Sequence, residues 1–252
     1  MTPMMAEPVV DYPDCDGQPL ADNTLQFEWI VTIEGNLDLL FANDPSAFVA
    51  GDNLIYPVEG KPAICQAPDV YVAFGRPKGY RGSYKVWNEG GIFPQVIFEV
   101  LSPSNSPSEM LRKRLWYEKY GAEEYYVLDP ELLELEGYVR GPTGLVRVPE
   151  MNGFRSPRMG VAFEVEEDGI ELRSPGGSRF LTFVEFGQLQ QETARQVEAE
   201  KRRAESERER GRQVGREAPG AGSRSRRLRS LLSMGARELH SVMLPVAGGY
   251  LL

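Results

Sequence analysis

Residues 94–130 read PQVIFEVLSPSNSPSEMLRKRLWYEKYGAEEYYVLDP, and the fold is decided there. Two apolar runs, VIFEVL at 96–101 and YYVL at 125–128, flank a segment with helical spacing. Together they predict a strand, a helix and a second strand parallel to the first. Ser106 or Ser108 can cap the helix and Pro107 suits its first turn. Met110, Leu111, Leu115, Trp116 and Tyr120 then recur at three- and four-residue spacing until Gly121 stops it. The anomaly is Glu99. A strand apolar on both faces is buried between helices, so a carboxylate in its middle lies in the core or at the rim of the sheet and needs a partner. Lys113 can lay its stem along the apolar surface near Met110 and Trp116 or Tyr117 and reach back with its ammonium toward that strand.

Upstream, residues 1–20 are rich in proline and acid and are expected to form a disordered lead-in. The segment from Asp22 to Phe41 offers Asp22, Asn23 or Thr24 as caps, with Leu25, Trp29, Ile33, Leu37 and Leu40 at near-helical spacing, so one or two helices are expected. Glu28 on this segment reads either as a solvated helix carboxylate or as a further member of a site with Glu99. Between Phe48 and Gly75, short apolar runs broken by Gly, Pro and Asp read as antiparallel strands with tight turns. Asp69 opens the run VYVAF and is either a turn-capping aspartate or a second site carboxylate. Residues 76–93 are Gly-rich and locally basic, with Tyr80, Tyr84 and Trp87 interleaved. They form a solvated loop or a flap that contacts phosphate and stacks on bases.

Downstream of Pro130, ELEGYVR, GLVRVPE, MGVAFEVEEDG and IELRSPGG read as short strands with turns at Gly141–Gly144 and at 167–169. They are expected to extend or cap the sheet. From Leu181 the pattern turns helical, and at 191–212 acids and bases pair at helical spacing over a thin apolar stripe, as in an exposed charged helix or weak coiled coil able to support a homodimer. Residues 213–252 are expected to be disordered. The domain proper is thus 21–190.

The 252 residues, 41% hydrophobic, suffice for one substantial core with an appendage. No apolar run approaches membrane-spanning length, and the first residues lack the pattern of a secretory signal, so a cytoplasmic location without membrane association is expected. Cys15 and Cys65 are expected to be free thiols. His240 is the single histidine, which excludes a histidine-rich metal site and a Ser-His-Asp triad in the core. Charge is uneven: from Gln188 onward there are 13 basic and 8 acidic residues, and before it 15 basic and 29 acidic. So acidic a body disfavours strong, long-range attraction to nucleic acid.

Asp69, Glu99 and Lys113 are therefore the candidate trio. Two converging carboxylates can hold a divalent cation, and a nearby lysine can orient or help deprotonate a water for attack on phosphorus. The stretches QAPDVYVAFGRPKG and FPQVIFEVLSPSNSPSEMLRKRLWYEKYGAEEYYVLDP closely resemble the bacterial Uma-two family of restriction-endonuclease-type proteins, within the PD-(D/E)XK nuclease superfamily. The similarity runs from about Asp22 to Leu189. It implies an α/β fold, a restriction-endonuclease-like mixed sheet flanked by helices with a charged C-terminal helix. It further implies Mg2+ or Mn2+ held by Asp69 and Glu99, DNA as partner, and endodeoxyribonuclease activity. The superfamily's usual E-x-K is broken, since Leu101 stands two residues after Glu99, and the resemblance implies that the lysine has moved to Lys113 on the following helix. The competing expectation is a non-catalytic nucleic-acid-binding or protein-interaction module on the same fold. A third is a plain structural ion pair between Glu99 and Lys113.

Overall fold

The run VIFEV forms a strand because its β-branched and aromatic residues fill both sides of a pleated sheet. A computed structural model describes residues 10–15, 17–166 and 169–217, with side chains as far as 212. In chain order these form helix α1 (Thr24–Leu40), strands β1 (Ala47–Ala50), β2 (Ile55–Tyr56), β3 (Val70–Phe74), β4 (Tyr84–Lys85) and β5 (Val96–Val100), then helix α2 (Pro107–Tyr120). Strands β6 (Glu124–Asp129), β7 (Glu134–Gly141), β8 (Gly144–Arg147), β9 (Ala162–Glu166) and β10 (Gly169–Arg173) follow, then helix α3 (Phe183–Glu217). A six-stranded mixed sheet runs β1-β3-β5-β6-β7-β8, parallel at β5/β6 and antiparallel elsewhere. The fold is α/β, and β5, α2 and β6 are the strand, helix and parallel neighbour read from 94–130.

Alternation in β5 and β6 divides the core. Val96, Phe98, Val100, Tyr126 and Leu128 face α1 and the β9/β10 pair, while Ile97, Tyr125 and Val127 face α2. Helix α1 is a single helix, capped by Asn23, whose side chain accepts the Gln26 amide. It buries Ile30, Ile33 and Leu37, each stabilising by about 1.5–3 kcal/mol relative to exposure. Helix α2 starts at the Ser106 cap with Pro107 in its first turn and ends at Gly121, whose φ of 123° needs no Cβ to be avoided. The expected stripe on α2 is corrected: Leu111 and Leu115 are about half exposed, and Tyr117 is the residue driven into the sheet. Met110, Lys113 and Tyr117 form the inward row, and the two leucines, four apart, lie on its flank.

Strands β7 and β8 extend the main sheet, but β9 and β10 pair separately, as do β2 and β4. Of the expected turn at 167–169, Gly169 pairs with Glu166, and 167 and 168 lie outside the described residues. The 76–93 segment is more tightly held than a solvated loop. Tyr84 is fully buried, and Arg81 forks onto Glu89 at 2.7 and 3.1 Å while lying 3.9 Å above the Phe48 ring. Of its four aromatics, Tyr80, Tyr84, Trp87 and Phe93, Tyr80 alone stands exposed, at 95%.

In the expected lead-in, 1–9 and 16 lie outside the described residues. Tyr12 packs against Tyr56 and Trp87, and the Tyr56 hydroxyl donates to the Pro13 carbonyl at 2.7 Å. The chain divides into two units, one ending at Gln191 and the next beginning at Glu192. Within the second, α3 is exposed throughout to Arg212, and 218–252 lie outside the described residues. No helix among the described residues is long and apolar enough to cross a membrane. Cys15 and Cys65 form no disulfide.

Candidate active site

Glu99 is 2% exposed in the centre of β5, on the face turned to α2. A carboxylate there needs partners, and it has two. Lys113 Nζ donates to Oε2 at 2.7 Å and the Tyr117 hydroxyl donates to Oε1 at 2.8 Å, both from the inward row of α2. Asp69 ends the loop that leads into β3. The antiparallel register sets Val70 opposite Phe98, so one further step sets Asp69 opposite Glu99, at a Cα separation of about 4.5–5.5 Å. The Asp69 carboxylate crosses to β5, where its Oδ2 accepts the Val100 amide at 2.6 Å.

Two carboxyl groups so placed resist joint ionisation. Burial, then the neighbouring Glu99 charge, push Asp69 up to about 8, against the opposing pull of the Val100 amide and Lys113. Burial also raises Glu99, opposed by Lys113 and Tyr117. Burial works against the Lys113 ammonium, but the charge and hydrogen bond of Glu99 outweigh it and hold Lys113 above its ordinary value. Lys113 is therefore a stable cation and hydrogen-bond donor. Proton abstraction by this lysine, one of the two roles expected from sequence, does not fit that environment.

The backbone around Asp69 is packed close. A Cβ on Gly51 would meet the Asp69 carbonyl oxygen at 2.3 Å, and the Asp52 amide donates to the Pro68 carbonyl at 3.0 Å. The oxygen-only set of Asp69 and Glu99 fits Mg2+, which binds through one or two carboxylates and keeps much of its water. Burial first, and the Glu99 charge second, disfavour an ionised Asp69, and a divalent cation beside it would oppose both. Among the described residues no group of three or more His, Cys, Asp and Glu is placed to hold a metal ion.

Glu28 does not join them. It is exposed on α1, beside Thr32 and Arg179 in a shallow groove. The polar residue of α1 that does reach the site is Gln26, 6% exposed, whose Nε2 donates to the Val100 carbonyl at 2.8 Å while its Oε1 accepts the Asp22 amide at 2.8 Å. Asp22 in turn accepts hydrogen bonds from Ser102 and Ser104, which ties the start of α1 to the serine-rich loop after β5. Both polar groups of Val100 are thus claimed, its amide by Asp69 and its carbonyl by Gln26. The sequence signal for Gln26 is its place three residues after the Asn23 cap, where a Gln side chain turns back to the helix start.

The profile of the Uma2 family, described as "Putative restriction endonuclease", matches residues 11–167, more than half of the chain and the whole of the site. No curated protein matches. Among solved structures, "a putative nuclease belonging to DUF820 from Anabaena variabilis ATCC 29413" shares 14% identity over 55% of this chain and 75% of that one, with a TM-score of 0.39. On the family profile, this chain belongs to the Uma2 family of restriction-endonuclease-type proteins.

Proposed function

We propose that the protein is an endonuclease that hydrolyses DNA phosphodiester bonds with Mg2+, or Mn2+ in its place, and that Asp69, Glu99 and Lys113 carry the reaction. Family membership supports a nuclease. The observation that carries the finer reading is the opposition of Asp69 and Glu99 across β3 and β5, with the Lys113 ammonium on Glu99.

In this reading Asp69 and Glu99 hold the cation through oxygens on one face of the sheet. A divalent cation held there would supply Lewis acidity and lower the pKa of a bound water. Lys113 enters as an ammonium. It donates to the substrate phosphate or to the attacking water and opposes the negative charge that grows in the transition state. Tyr117 fixes the second oxygen of Glu99, so that the carboxylate stays in place when Lys113 turns to substrate. Gln26 and the Val100 backbone keep Asp69 at its height on the sheet.

One observation favours a second reading, a non-catalytic nucleic-acid-binding or protein-interaction module. Residues 188–212 of α3 are exposed on every side, and a charged helix of that kind suits pairing with a second copy or another partner. Incubation of plasmid DNA with the purified protein decides between them. The nuclease reading expects nicking or linearisation that needs Mg2+ or Mn2+ and disappears in Asp69→Asn and Glu99→Gln. Intact plasmid under all conditions, or cleavage that both variants retain, rejects it.

A further inference from the structure

The nuclease reading leaves one motif of the chain unabsorbed, the run RPKGYRGSYK at 76–85, which holds four basic residues and no acid. Most of it is engaged with the protein: Tyr84 is buried, Arg81 is forked onto Glu89, and the Lys85 ammonium lies 5.3 Å from the Tyr12 ring centroid. Tyr80 is the exception, with 95% of its surface in water. A solitary exposed aromatic is ordinary. The hold on its loop sets Tyr80 apart. Beyond the fork on Glu89 and the seat over Phe48, Arg81 Nη1 donates to the Gly79 carbonyl at 3.1 Å and Nη2 donates to the Pro77 carbonyl at 2.9 Å. One guanidinium thus fixes the chain on both sides of Tyr80. The ring stands on a loop ordered in folding, so that ordering is not a cost of binding.

Two further observations point to a nucleic-acid strand. Lys78 Nζ pairs with Asp38 at 2.7 Å, with side-chain exposures of 34% and 58%. A surface pair of that kind contributes little, so Lys78 can exchange Asp38 for a phosphate. Four bases meet three acids around this loop, Asp14, Asp38 and Glu89, whereas acids exceed bases over the body as a whole. The second observation is position. Residues 51–56 join the loop to the site: Gly51 and Asp52 pack on Pro68 and Asp69, and Asn53 Nδ2 donates to the Arg81 carbonyl at 3.5 Å. The Leu54 carbonyl accepts the Tyr84 amide at 2.8 Å. Followed along these contacts, at 3.8 Å for each Cα step, Tyr80 lies at most about 28 Å from Asp69, a few nucleotides of extended strand.

We propose that Tyr80 stacks on an unpaired base of the DNA, with Lys78 on the backbone beside that base. That the base lies a few nucleotides from the phosphate at Asp69 and Glu99 rests on the nuclease reading. The ring offers its faces to water, and a base within a duplex has both faces covered by its neighbours, so an unpaired base is the one that fits. The acidic body agrees with this, because stacking holds a strand with less phosphate neutralisation than a duplex requires. The substrate of the site is then DNA with a single-stranded stretch near the scissile bond, which negative supercoiling helps a plasmid to open.

Fluorescence anisotropy of labelled oligothymidylate with the full chain in EDTA tests this without cleavage. Tyr80→Ala should weaken binding about 5- to 100-fold and Tyr80→Phe less than about twofold. Neither should move the melting temperature, since the ring is exposed. An abasic strand of the same length should bind the wild type as weakly as oligothymidylate binds Tyr80→Ala. Stacking carries no charge, so Tyr80→Ala should keep the wild-type salt dependence, whereas Lys78→Gln should lower the slope by about 0.7. Unchanged binding in Tyr80→Ala, an equal loss in Tyr80→Phe, an abasic strand bound as tightly as oligothymidylate, an unaltered slope in Lys78→Gln, or no binding by the wild type overturns the proposal. Binding that depends on Tyr80 without plasmid cleavage leaves this assignment standing and sinks the nuclease reading. Metal-dependent cleavage with strand binding indifferent to Tyr80 does the reverse.

Discussion

Replacing Asp69 by Asn should change how stability depends on pH. In the unfolded chain Asp69 loses its proton near 3.8, and in the fold it keeps the proton up to about 8. Between those values the folded state carries one more proton than the unfolded state, so stability falls as pH rises through the window and levels off above it. The full linkage amounts to a ceiling of about 6 kcal/mol, at 1.36 kcal/mol for each pKa unit. Asp69 keeps some contact with solvent, and screening there holds the change to about 2–4 kcal/mol. Glu99 is raised as well and acts in the same direction, so the variant keeps a residual slope. Lys113, raised from 10.5, contributes stability that is lost only above the window. Urea unfolding in EDTA from pH 5 to 9 reads this out. The wild type should lose about 2–4 kcal/mol more than Asp69→Asn between pH 5 and pH 8. Parallel curves, or a wild type that gains stability with pH, refute the raised carboxyl of Asp69.

Lys113→Met should leave Mg2+ affinity within a few-fold and lower the cleavage rate about 10²- to 10³-fold, read in single-turnover assays. A structural ion pair predicts the opposite, with both Lys113→Met and Glu99→Gln unstable and cation affinity unmoved. Gly51→Ala places a methyl against the Asp69 carbonyl, so it should cost about 1–3 kcal/mol in urea unfolding and weaken cation binding with it. Removing residues 192–252 should shift the melting temperature by less than about 3 °C. Light scattering on the same sample should report a dimer becoming a monomer if α3 pairs between copies, and a larger shift at unchanged mass contradicts the tail's independence.

The strand, helix and parallel strand of 94–130 were legible because their signals are local: two apolar runs, the Ser106 cap, Pro107 and Gly121. Glu99 was legible as a violation, a charge in a run that should be apolar, and Lys113 followed as a partner its own helix could deliver. Asp69 was not readable from its surroundings alone, since a turn cap and a site carboxylate look alike until the register with β5 is known. Helix α1 shows the limit most sharply. Its apolar positions allow two overlapping faces, one with Leu25 and Trp29 and one with Ile30 and Ile33, and packing chose the second. That choice turned Gln26 inward and Glu28 to solvent, two residues and about 200° apart on the helix. The flap at 76–93 was misleading for a related reason. Part of its basic and aromatic set finds partners inside the protein, Glu89 for Arg81 and the core for Tyr84, that no local pattern announces.

The central claim is that Asp69 and Glu99 together hold one divalent cation, and titration of Mn2+ into the protein at pH 8, followed by calorimetry and by the resonance signal of the free ion, tests it most directly. One site per chain is expected in the wild type, weakening about tenfold for each pH unit below 8 as the proton on Asp69 competes with the ion. Asp69→Asn and Glu99→Gln should each abolish that site while remaining folded. A cation bound with full affinity by the Glu99→Gln variant, or none bound by the wild type, would contradict the account.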